Sequence, residues 1–271
     1  MKIRKHLKLA GFSLCAVLFF TACSDDADIS SNSNERGKAT MRFNLTDAPA
    51  GYDAVYIDVQ EVRVHAATQD TAESGWITMD NVQPGIYNLL DFRNGLDTLI
   101  AYGDVPAGKI SQIRLILGAQ NSVVINGVSE NLKTPSAQQS GLKLQVNYRL
   151  EPGLKYEFWI DFDASRSIVE RGNGDYNLKP VIRVYTASTT GSIDGIITPA
   201  TAHSSVLAYN SAGDSAMAIG DTASGYFLIS GLTPDNYTVE FDPVAPFAPE
   251  DTTGIMVSAG MVTHLDSVRL N

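Results

Sequence analysis

Apolar and polar residues alternate along most of the chain, and this period of two is typical of half-buried β-strands. The stretch "MRFNL" places Met41, Phe43 and Leu45 on one face, and "VYIDV" repeats the pattern further on. The apolar phase then shifts by one residue, which predicts a β-bulge near Gln60 and Glu61. The chain is therefore predicted to consist largely of strands that each pack one face against a core.

Two later segments repeat the alternation on either side of a turn. The segments 141–150 ("GLKLQVNYRL") and 156–163 ("YEFWIDFD") flank the turn sequence "EPG", and such a pair predicts a β-hairpin. No apolar stripe with a period of 3.6 residues reaches helical length, and the sequence allows at most a short helical turn at 164–170. The predicted fold class is all-β.

The strand pattern divides the chain into two units. The first spans residues 39–188, and the second, 190–271, has short, evenly spaced strands separated by Gly, Pro, Asn and Asp. This spacing indicates a small sandwich. The sequence "TAST" at 186–189 is the predicted hinge. Two tandem β-sandwich domains are expected, each able to fold independently.

The first 22 residues have the layout of a secretory signal peptide. The stretch "MKIRKHLK" carries four basic residues and no acid, and the 14 residues from 9 to 22 are almost all apolar or small. A membrane-spanning helix needs about 20 apolar residues, so this run is too short to be one. Residues 1–22 are therefore expected to be a signal peptide that is removed on export.

Cys23 is the only cysteine of the predicted mature chain, because Cys15 lies within the signal peptide. No intrachain disulfide can form, so the folded part must rest on its hydrophobic core. The stretch "FTAC" that ends at Cys23 resembles the processing site of bacterial lipoproteins, which implies that Cys23 is lipidated. Two or three acyl chains would anchor the protein stably. Residues 23–38 are rich in Ser, Asn and Asp and are predicted to be a flexible tether.

Acidic residues follow this cysteine at once. The stretch "CSDDAD" resembles the surface-export signal of lipoproteins in certain Gram-negative bacteria. The resemblance implies that Ser24, Asp25, Asp26 and Asp28 direct the protein to the outer leaflet. A merely soluble tether would have a similar composition. The expected location is the outer membrane, with a lipid anchor and exposure at the cell surface.

The predicted mature chain is strongly acidic. Removal of residues 1–22 lowers Lys plus Arg from 20 to 16 and leaves 30 Asp plus Glu, which gives a formal charge of −14. Such a surface repels phosphate backbones, so nucleic acid is not an expected partner. The expected partners are the membrane, through the lipid anchor, and a glycan or protein ligand.

Both units resemble known families. The stretches "NLTDAP", "YDAVYIDVQEVRVH", "NLLDFRNG" and "DFDASRSIVERGNGDYNLKPVIRV" resemble a family of bacterial lipoprotein domains known as domain of unknown function 4382. The stretches "GSIDGII", "VLAYN" and "GDTASGYFLISGLTPDNYTVEF" are similar to the carboxypeptidase regulatory-like domain, a transthyretin-like seven-stranded sandwich. The first resemblance implies no activity. The second implies a scaffold or spacer without the zinc ligands of a peptidase.

The sequence contains no catalytic motif. The sequence separations between His65, His203 and His264 are much larger than those between the ligands of a metal-binding motif. A G-x-S-x-G elbow is absent from the sequence. The stretch "RGNGDYN" lacks the third glycine of a dinucleotide-binding loop and is predicted to be a turn. The acids are too numerous for the sequence to single out a glycosidase pair. The chain is therefore predicted to be no enzyme and to need no cofactor.

The strand 156–163 presents candidate binding residues on its outward face. Its polar residues and its tryptophan alternate with the core residues and share one side of the strand. Trp159, with Glu157 beside it, is a candidate platform on which a sugar can stack. A large aromatic residue on a sandwich also commonly packs against a loop or a neighbouring domain, so both interpretations stay open.

Asp161, Asp163 and Ser165 have the spacing with which a calcium loop begins. Arg166 stands where such a loop needs glycine, and Gly172 stands where it needs the closing glutamate. The three residues are candidate cation ligands. The alternative is an ordinary strand end with acids in the turn.

These features predict a surface-anchored lipoprotein that acts as a non-catalytic binding or structural module, with a glycan as one candidate ligand. The alternative is a subunit or assembly factor of a pilus-like surface fibre. Glycan binding predicts an exposed aromatic patch, whereas a fibre predicts a terminal strand that can be displaced.

Overall fold

The computed structural model of the protein describes residues 37–48, 50–66, 75–134, 140–172 and 174–271. These residues form an almost purely β structure, which confirms the predicted fold class. One α-helical turn, Ala164–Ser167, lies within the segment for which a short turn of helix was allowed. Two single 3-10 turns, Leu89–Asp91 and Ala200–Ala202, are also present.

In the described ranges the first sandwich contains fourteen strands, and the longest are those at its centre. In chain order they are β1 (Lys38–Ala48), β2 (Ala54–Ala66), β3 (Trp76–Thr78), β4 (Asn81–Val82), β5 (Gly85–Asn88), β6 (Thr98–Pro106), β7 (Gly108–Leu117), β8 (Ser122–Ile125), β9 (Val128–Lys133), β10 (Leu142–Leu150), β11 (Lys155–Asp163), β12 (Ile168–Glu170), β13 (Tyr176–Leu178) and β14 (Ile182–Tyr185).

These strands form two sheets that face each other across one core. The five-stranded sheet has the order β14-β11-β1-β6-β4. The nine-stranded sheet has the order β10-β7-β2-β8-β9-β13-β12, and β3 and β5 also pair with β2. The alternating residues Met41, Phe43 and Leu45 are fully buried between the sheets. The predicted bulge is confirmed, because the register of β2 against β7 shifts between Val59 and Glu61.

The predicted hairpin between segments 141–150 and 156–163 is wrong. Strand β10 pairs with β7 in the nine-stranded sheet, whereas β11 pairs with β1, in parallel, and with β14 in the five-stranded sheet. The turn after Leu150 therefore carries the chain from one sheet to the other. Both strands turn apolar faces towards the same core from opposite sides, so their alternation is the same as that of a hairpin.

The second sandwich contains eight strands. They are β15 (Gly191–Thr198), β16 (Ser205–Asn210), β17 (Ser215–Ile219), β18 (Tyr226–Leu232), β19 (Asn236–Asp242), β20 (Glu250–Met256), β21 (Val262–His264) and β22 (Val268–Arg269). One sheet has the order β18-β15-β21, with β22 also paired to β15, and the other has the order β17-β16-β19-β20. Strands β21 and β22 follow the same edge of β15, like one interrupted strand.

Each sandwich has its own hydrophobic core, and a short turn joins them. The main-chain oxygen of Thr186 accepts hydrogen bonds from the amides of Thr189 and Thr190, both at 3.2 Å. The Thr190 hydroxyl also donates to this oxygen, at 2.8 Å. All described residues of both sandwiches belong to one compact unit. The segment predicted to be a hinge is thus a hydrogen-bonded turn that brings the two sandwiches together.

Candidate functional site

A cleft of about 240 Å³ lies where the two sandwiches meet. The first sandwich lines it with the ends of β1, β11 and β14 and with the loop that contains Asn94 and Asp97. The second sandwich contributes residues of β15, β17 and β18 and the turn that leads into β21. Trp159 and Asp161 both line the cleft, so it contains part of the site that the sequence predicts.

An ion pair between a buried acid and a half-buried arginine forms one wall of this cleft. Asp161 and Arg183 are directly opposite each other on the adjacent strands β11 and β14. The Arg183 Nε lies 3.1 Å from Oδ2 of Asp161, and Nη2 donates to the same oxygen. Asp161 is only 5 % exposed. Burial lowers the pKa of Arg183, but the neighbouring Asp161 carboxylate more than offsets this and the pKa is raised. Arg183 therefore stays charged.

Asp47, at the end of β1, is a second buried acid in the cleft. Its Oδ1 accepts a hydrogen bond from the amide of Ala164 at 3.1 Å. Burial raises the pKa of Asp47 well above its ordinary value, and the Asp161 and Asp163 carboxylates act in the same direction. Asp47 thus favours the neutral form, in which it can donate as well as accept a hydrogen bond.

Three residues of the cleft carry buried polar atoms without a hydrogen-bond partner. Among the described residues, four buried side-chain nitrogen or oxygen atoms lack such a partner. Three of them are Oδ2 of Asp47, Oδ1 of Asn94 and Nη1 of Arg183, and all three residues line the cleft. A buried polar group without a partner is costly, so native proteins rarely contain several together. Their concentration on residues that line one cleft makes this junction the candidate site.

Trp159 is half-buried at the side of the cleft. Its indole Nε1 donates to Oδ2 of Asp97 at 2.6 Å, and its ring stacks on Tyr185 with 5.7 Å between centroids and 10° between planes. The strand face predicted to point outward is therefore turned towards the second sandwich at this end. Asp161 and Asp163 are buried and not exposed, because the neighbouring domain and the helical turn cover them.

The structure does not place Glu157 in the cleft. This residue lies further back along β11, where Oε1 accepts from Nδ2 of Asn44 at 2.9 Å and lies 3.7 Å from Nε of Arg42. Glu157 is exposed and its contacts are those of an ordinary surface carboxylate. The predicted pairing of Glu157 with Trp159 in one ligand site is therefore absent from the cleft.

The predicted cation ligands are engaged in protein contacts. Oδ1 of Asp163 accepts from the Arg166 amide at 2.9 Å and from Oγ of Ser165 at 2.7 Å, while Oδ2 pairs with Nε of Arg166 at 2.5 Å. Asp161 pairs with Arg183. Within the described ranges, no group of three or more His, Cys, Asp or Glu residues is placed to hold a metal ion. This geometry is that of a strand end whose acid caps a helical turn.

Sequence reasoning missed Asp47, Asn94, Arg183 and Tyr185 as residues of one site. The stretches "NLTDAP" and "VIRVY" did show an acid directly after an alternating strand and an arginine within one. Nothing in the sequence shows that β1, β11 and β14 are neighbours, because the pairing of β1 with β11 spans more than a hundred residues. The sequence does contain one usable signal, which is the charged Arg183 inside an alternating strand. A charged residue in such a place needs a partner of opposite charge if it is buried.

The predicted lipidation and export residues lie outside the described part of the chain. These are Cys23, Ser24, Asp25, Asp26 and Asp28. In the described ranges, every helix is too short or too polar to cross a membrane.

The fold and the cleft define a protein of two joined β-sandwiches with a site at their junction. A family model described as "Domain of unknown function (DUF4382)" matches residues 38–180. The chain belongs to this family. No curated protein matches it.

Solved structures with some similarity have low scores. The Bacillus anthracis TIE protein is 10 % identical with a TM-score of 0.24, covering 87 % of this chain and 34 % of that one. A leucine-rich repeat protein from Bacteroides thetaiotaomicron is 11 % identical with a TM-score of 0.20, covering 86 % and 26 %. The shaft pilin spaA from Lactobacillus rhamnosus GG is 11 % identical with a TM-score of 0.23, covering 87 % and 98 %. The chain thus spans about a third and about a quarter of the first two proteins.

Proposed function

We propose that this protein is a non-catalytic binding module of the bacterial cell surface that captures a glycan in the cleft between its sandwiches. The observation that carries the proposal is the stacked pair of rings Trp159 and Tyr185, which lines a cleft of about 240 Å³ between the sandwiches together with polar side chains such as Asp97 and Ser230. Binding sites for small molecules combine such apolar rings with a few convergent polar groups.

The second sandwich has a definite part in this function. It is proposed to be a spacer of the carboxypeptidase regulatory-like type, on the sequence resemblance of residues 191–271. In the structure it also supplies one wall of the cleft, through residues such as Leu228, Ser230 and Met261. Because both sandwiches line the site, a bound ligand contacts both of them and holds them in one relative position.

The anchor is proposed from the sequence. Acyl chains on Cys23 would hold the protein in the outer membrane, and Ser24 with the acids at 25, 26 and 28 would direct it to the outer leaflet. A tether of about fifteen residues then lets the cleft sample the surroundings of the cell over several nanometres. Such a location suits capture of extracellular polysaccharide.

A glycan array tests the proposal. The probe is the mature chain, residues 23–271, with Cys23→Ser to keep it free of lipid. We expect binding to a subset of glycans and its loss in Ala187→Phe, because Ala187 is an exposed residue that lines the cleft. Ala212→Phe, in an exposed turn that does not line the cleft, is the matched control and should bind normally. A blank array, or equal binding by both variants, would contradict the proposal.

A fibre subunit is the second proposed function, and one feature of the second sandwich favours it. The last strands, β21 and β22, lie at a sheet edge and pair with β15 over only three and two residue positions. By contrast, β1 is held between β11 and β6 at the centre of its sheet. A displaced C-terminal strand could therefore add to a second copy. Deleting residues 262–271 should then allow a synthetic peptide of the same sequence to bind the truncated chain. Failure of the peptide to bind would count against a fibre.

A further inference from the structure

Four basic side chains lie together on the outward face of the first sandwich. Lys143 and Arg149 belong to strand β10, and Lys109 and Arg114 belong to its neighbour β7. They are exposed or half-buried and alternate with core residues such as Ile113. Neither strand contains an acid in its sequence, although the predicted mature chain has a formal charge of −14. These four residues are called the basic strip.

The basic strip places like charges directly opposite each other. In the antiparallel register of the two strands, Lys143 is paired with Arg114. Arg149 is paired with Lys109 in the same way. Such positions lie about 5 Å apart on one face, and like charges there destabilise a sheet. Within the described ranges, the one ion pair of the strip joins Nε of Arg149 to Oε1 of Glu151 at 3.5 Å, and both side chains are well exposed. A pair of this kind contributes little, so the repulsion stays largely uncompensated.

Protection of a sheet edge accounts for only half of the basic strip. Strand β10 ends its sheet, and charged side chains on an edge strand discourage pairing with another chain. Strand β7, however, lies between β10 and β2, so Lys109 and Arg114 guard no edge. A sequence that breaks a rule of stability without a structural gain commonly does so at a functional site. A bound anion would replace the repulsion by attraction.

Polar amides separate the two cation pairs. Gln145 on β10 lies directly opposite Gln112 on β7. The Nε of Arg114 donates to Oε1 of Gln112 at 3.2 Å, and the Arg114 guanidinium carbon lies 3.8 Å from the ring centroid of Trp76. The ring and the amide thus hold this guanidinium in place. Along the two strands, the surface presents positive charge, then hydrogen-bonding amides, then positive charge again.

We infer that the basic strip binds an acidic polysaccharide, whose sugars carry carboxylates or sulfates. The distance from Lys143 to Arg149 along an extended strand is about 20 Å, so the two cation pairs can meet anions on separate sugars of one polymer. The amides between them can hydrogen-bond the hydroxyl groups of the intervening sugars. Among the described residues, none of those that line the cleft comes from β7 or β10. The strip is therefore a second site, beyond the capture of a glycan in the cleft.

The charge of the remaining surface favours this polyanion over two others. Duplex nucleic acid carries one charge per about 1.7 Å of its axis. An anionic membrane is charged over its whole surface. Either would extend beyond the strip and meet the excess of acids on the rest of the molecule. The anions of an acidic polysaccharide are separated by neutral hydroxyl groups, so such a polymer can follow the strip with less repulsion.

Polygalacturonate tests the inference, and its fully methyl-esterified form is a neutral control with the same backbone. Dextran sulfate, with dextran as its control, tests sulfate in place of carboxylate. Binding of the mature Cys23→Ser chain to each immobilised polymer is measured at about 0.1 M and about 1 M salt, where charges are screened beyond roughly 10 Å and 3 Å. We expect binding to at least one polyanion, weakened at least about tenfold by the higher salt. Binding to neither polyanion, or equal binding to the neutral controls, would overturn the inference.

Two matched double variants assign the binding to the basic strip. Lys109→Gln with Lys143→Gln removes one charge from each cation pair, whereas Lys155→Gln with Lys179→Gln removes two exposed charges elsewhere. The first variant should bind at least about tenfold more weakly than the wild type, and the second should bind normally. Because the first also relieves repulsion, its melting temperature at low salt should equal or exceed that of the wild type. Equal weakening in both variants, or a lower melting temperature in the first, would overturn the inference.

A cleft variant and two other polyanions complete the test. Ala187→Phe should bind the polyanion like the wild type. Loss of binding in Ala187→Phe would place the polymer in the cleft, which would overturn the second site and leave the proposed function standing. Binding of acidic glycans alone, equal in Ala187→Phe and Ala212→Phe, would support the strip and count against the cleft. Tighter binding to duplex DNA or to phosphatidylglycerol vesicles at the same salt would overturn the assignment to a polysaccharide.

Discussion

Arg183 of the first sandwich donates from Nη2 to the main-chain oxygen of Ser230 in the second, at 3.2 Å. The same guanidinium pairs with the buried Asp161 on the neighbouring strand. Close by, Gly231 packs against the ring of Tyr185. One half-buried cation thus belongs both to the sheet of the first sandwich and to its contact with the second. The stability of the junction and the shape of the cleft consequently depend on the same side chain.

Replacement of Arg183 is therefore expected to be severe. Arg183→Leu leaves the Asp161 carboxylate buried without a partner, and loss of one member of a buried pair costs about 3–5 kcal/mol. Urea unfolding of the mature chain measures the change. The control is Arg149→Leu, whose ion pair with Glu151 is well exposed and should contribute at most about 1 kcal/mol. Adding Asp161→Asn to Arg183→Leu should recover part of the loss. Similar losses in the two arginine variants would show that the pair is not the cause.

The contact at Gly231 predicts a steric effect at the junction. Gly231 has φ +75°, and a Cβ there would lie 2.5 Å from Cδ1 of Tyr185. Gly213→Ala is a matched control, because Gly213 also has positive φ, +90°, but has nothing within 4 Å of its Cβ position. Both changes should cost about 1–2 kcal/mol for the left-handed backbone. Gly231→Ala should cost a further 1–3 kcal/mol, roughly, for the clash. Equal losses in urea unfolding would mean that the two sandwiches do not press together here.

How well the sequence predicts a feature depends on how far apart in the chain the interacting residues lie. Alternation along single strands depends on adjacent residues, so the buried faces at Met41 and Phe43 and the bulge in β2 are correctly predicted. Strand pairing depends on distant residues. The 141–150 and 156–163 segments have the pattern of a hairpin, yet β11 pairs with β1, and no local feature encodes that choice.

The candidate site shows the same division. Trp159 and Asp161 are recognisable from their shared strand face, and both do line the cleft. Their partners Arg183 and Asp97 come from other parts of the chain, so the ion pair and the indole hydrogen bond are visible only in the folded protein. A strand pattern separates core from non-core residues and so identifies the outward face that carries Trp159. It cannot distinguish solvent from a second domain.

Asp47 predicts a specific dependence of stability on pH. Burial raises its folded pKa above the ordinary value of 3.8, so the native state binds more protons than the unfolded chain between these two values. The stabilising contribution of the protonated group is full below the ordinary pKa and is lost as pH rises through the folded pKa. Asp47→Asn keeps an oxygen that can accept from Ala164 but cannot ionise.

We therefore expect Asp47→Asn to be more stable than the wild type near neutral pH and equal to it at acid pH. Within the window the difference should grow by about 1.4 kcal/mol per pH unit. Unfolding in urea at several pH values measures both proteins, and titrating groups that do not interact with Asp47 cancel in the difference. Two parallel stability curves would show that Asp47 has an ordinary pKa.

Calcium is expected to leave the protein unchanged. The carboxylates of Asp161 and Asp163 are paired with Arg183 and Arg166, and a cation would have to displace both arginines. A ligand that binds only the native state must raise the melting temperature. The melting temperature of the mature chain with millimolar calcium should thus equal that with a chelator. A rise that Asp163→Asn abolishes would instead establish the cation site that the spacing of Asp161, Asp163 and Ser165 predicts.

The lipid anchor and the acids behind it make separable predictions in whole cells. Cys23→Ser removes the acylation site, and the strongly acidic folded part has no attraction of its own to anionic lipid. We expect this variant to leave the membrane fraction.

Changing Asp25, Asp26 and Asp28 together to Ala keeps the lipid but removes the acids that would lie at the headgroups. At that place an export machine can read them before any folded domain intervenes. This triple variant should stay in the membrane fraction and become inaccessible to protease or antibody added to intact cells. Changing three polar, uncharged tether residues, Ser30, Ser31 and Ser33, to Ala is the matched control and should leave the protein at the surface. If the triple aspartate variant is as accessible as the wild type, the acids are only part of a soluble tether and the export signal lies elsewhere.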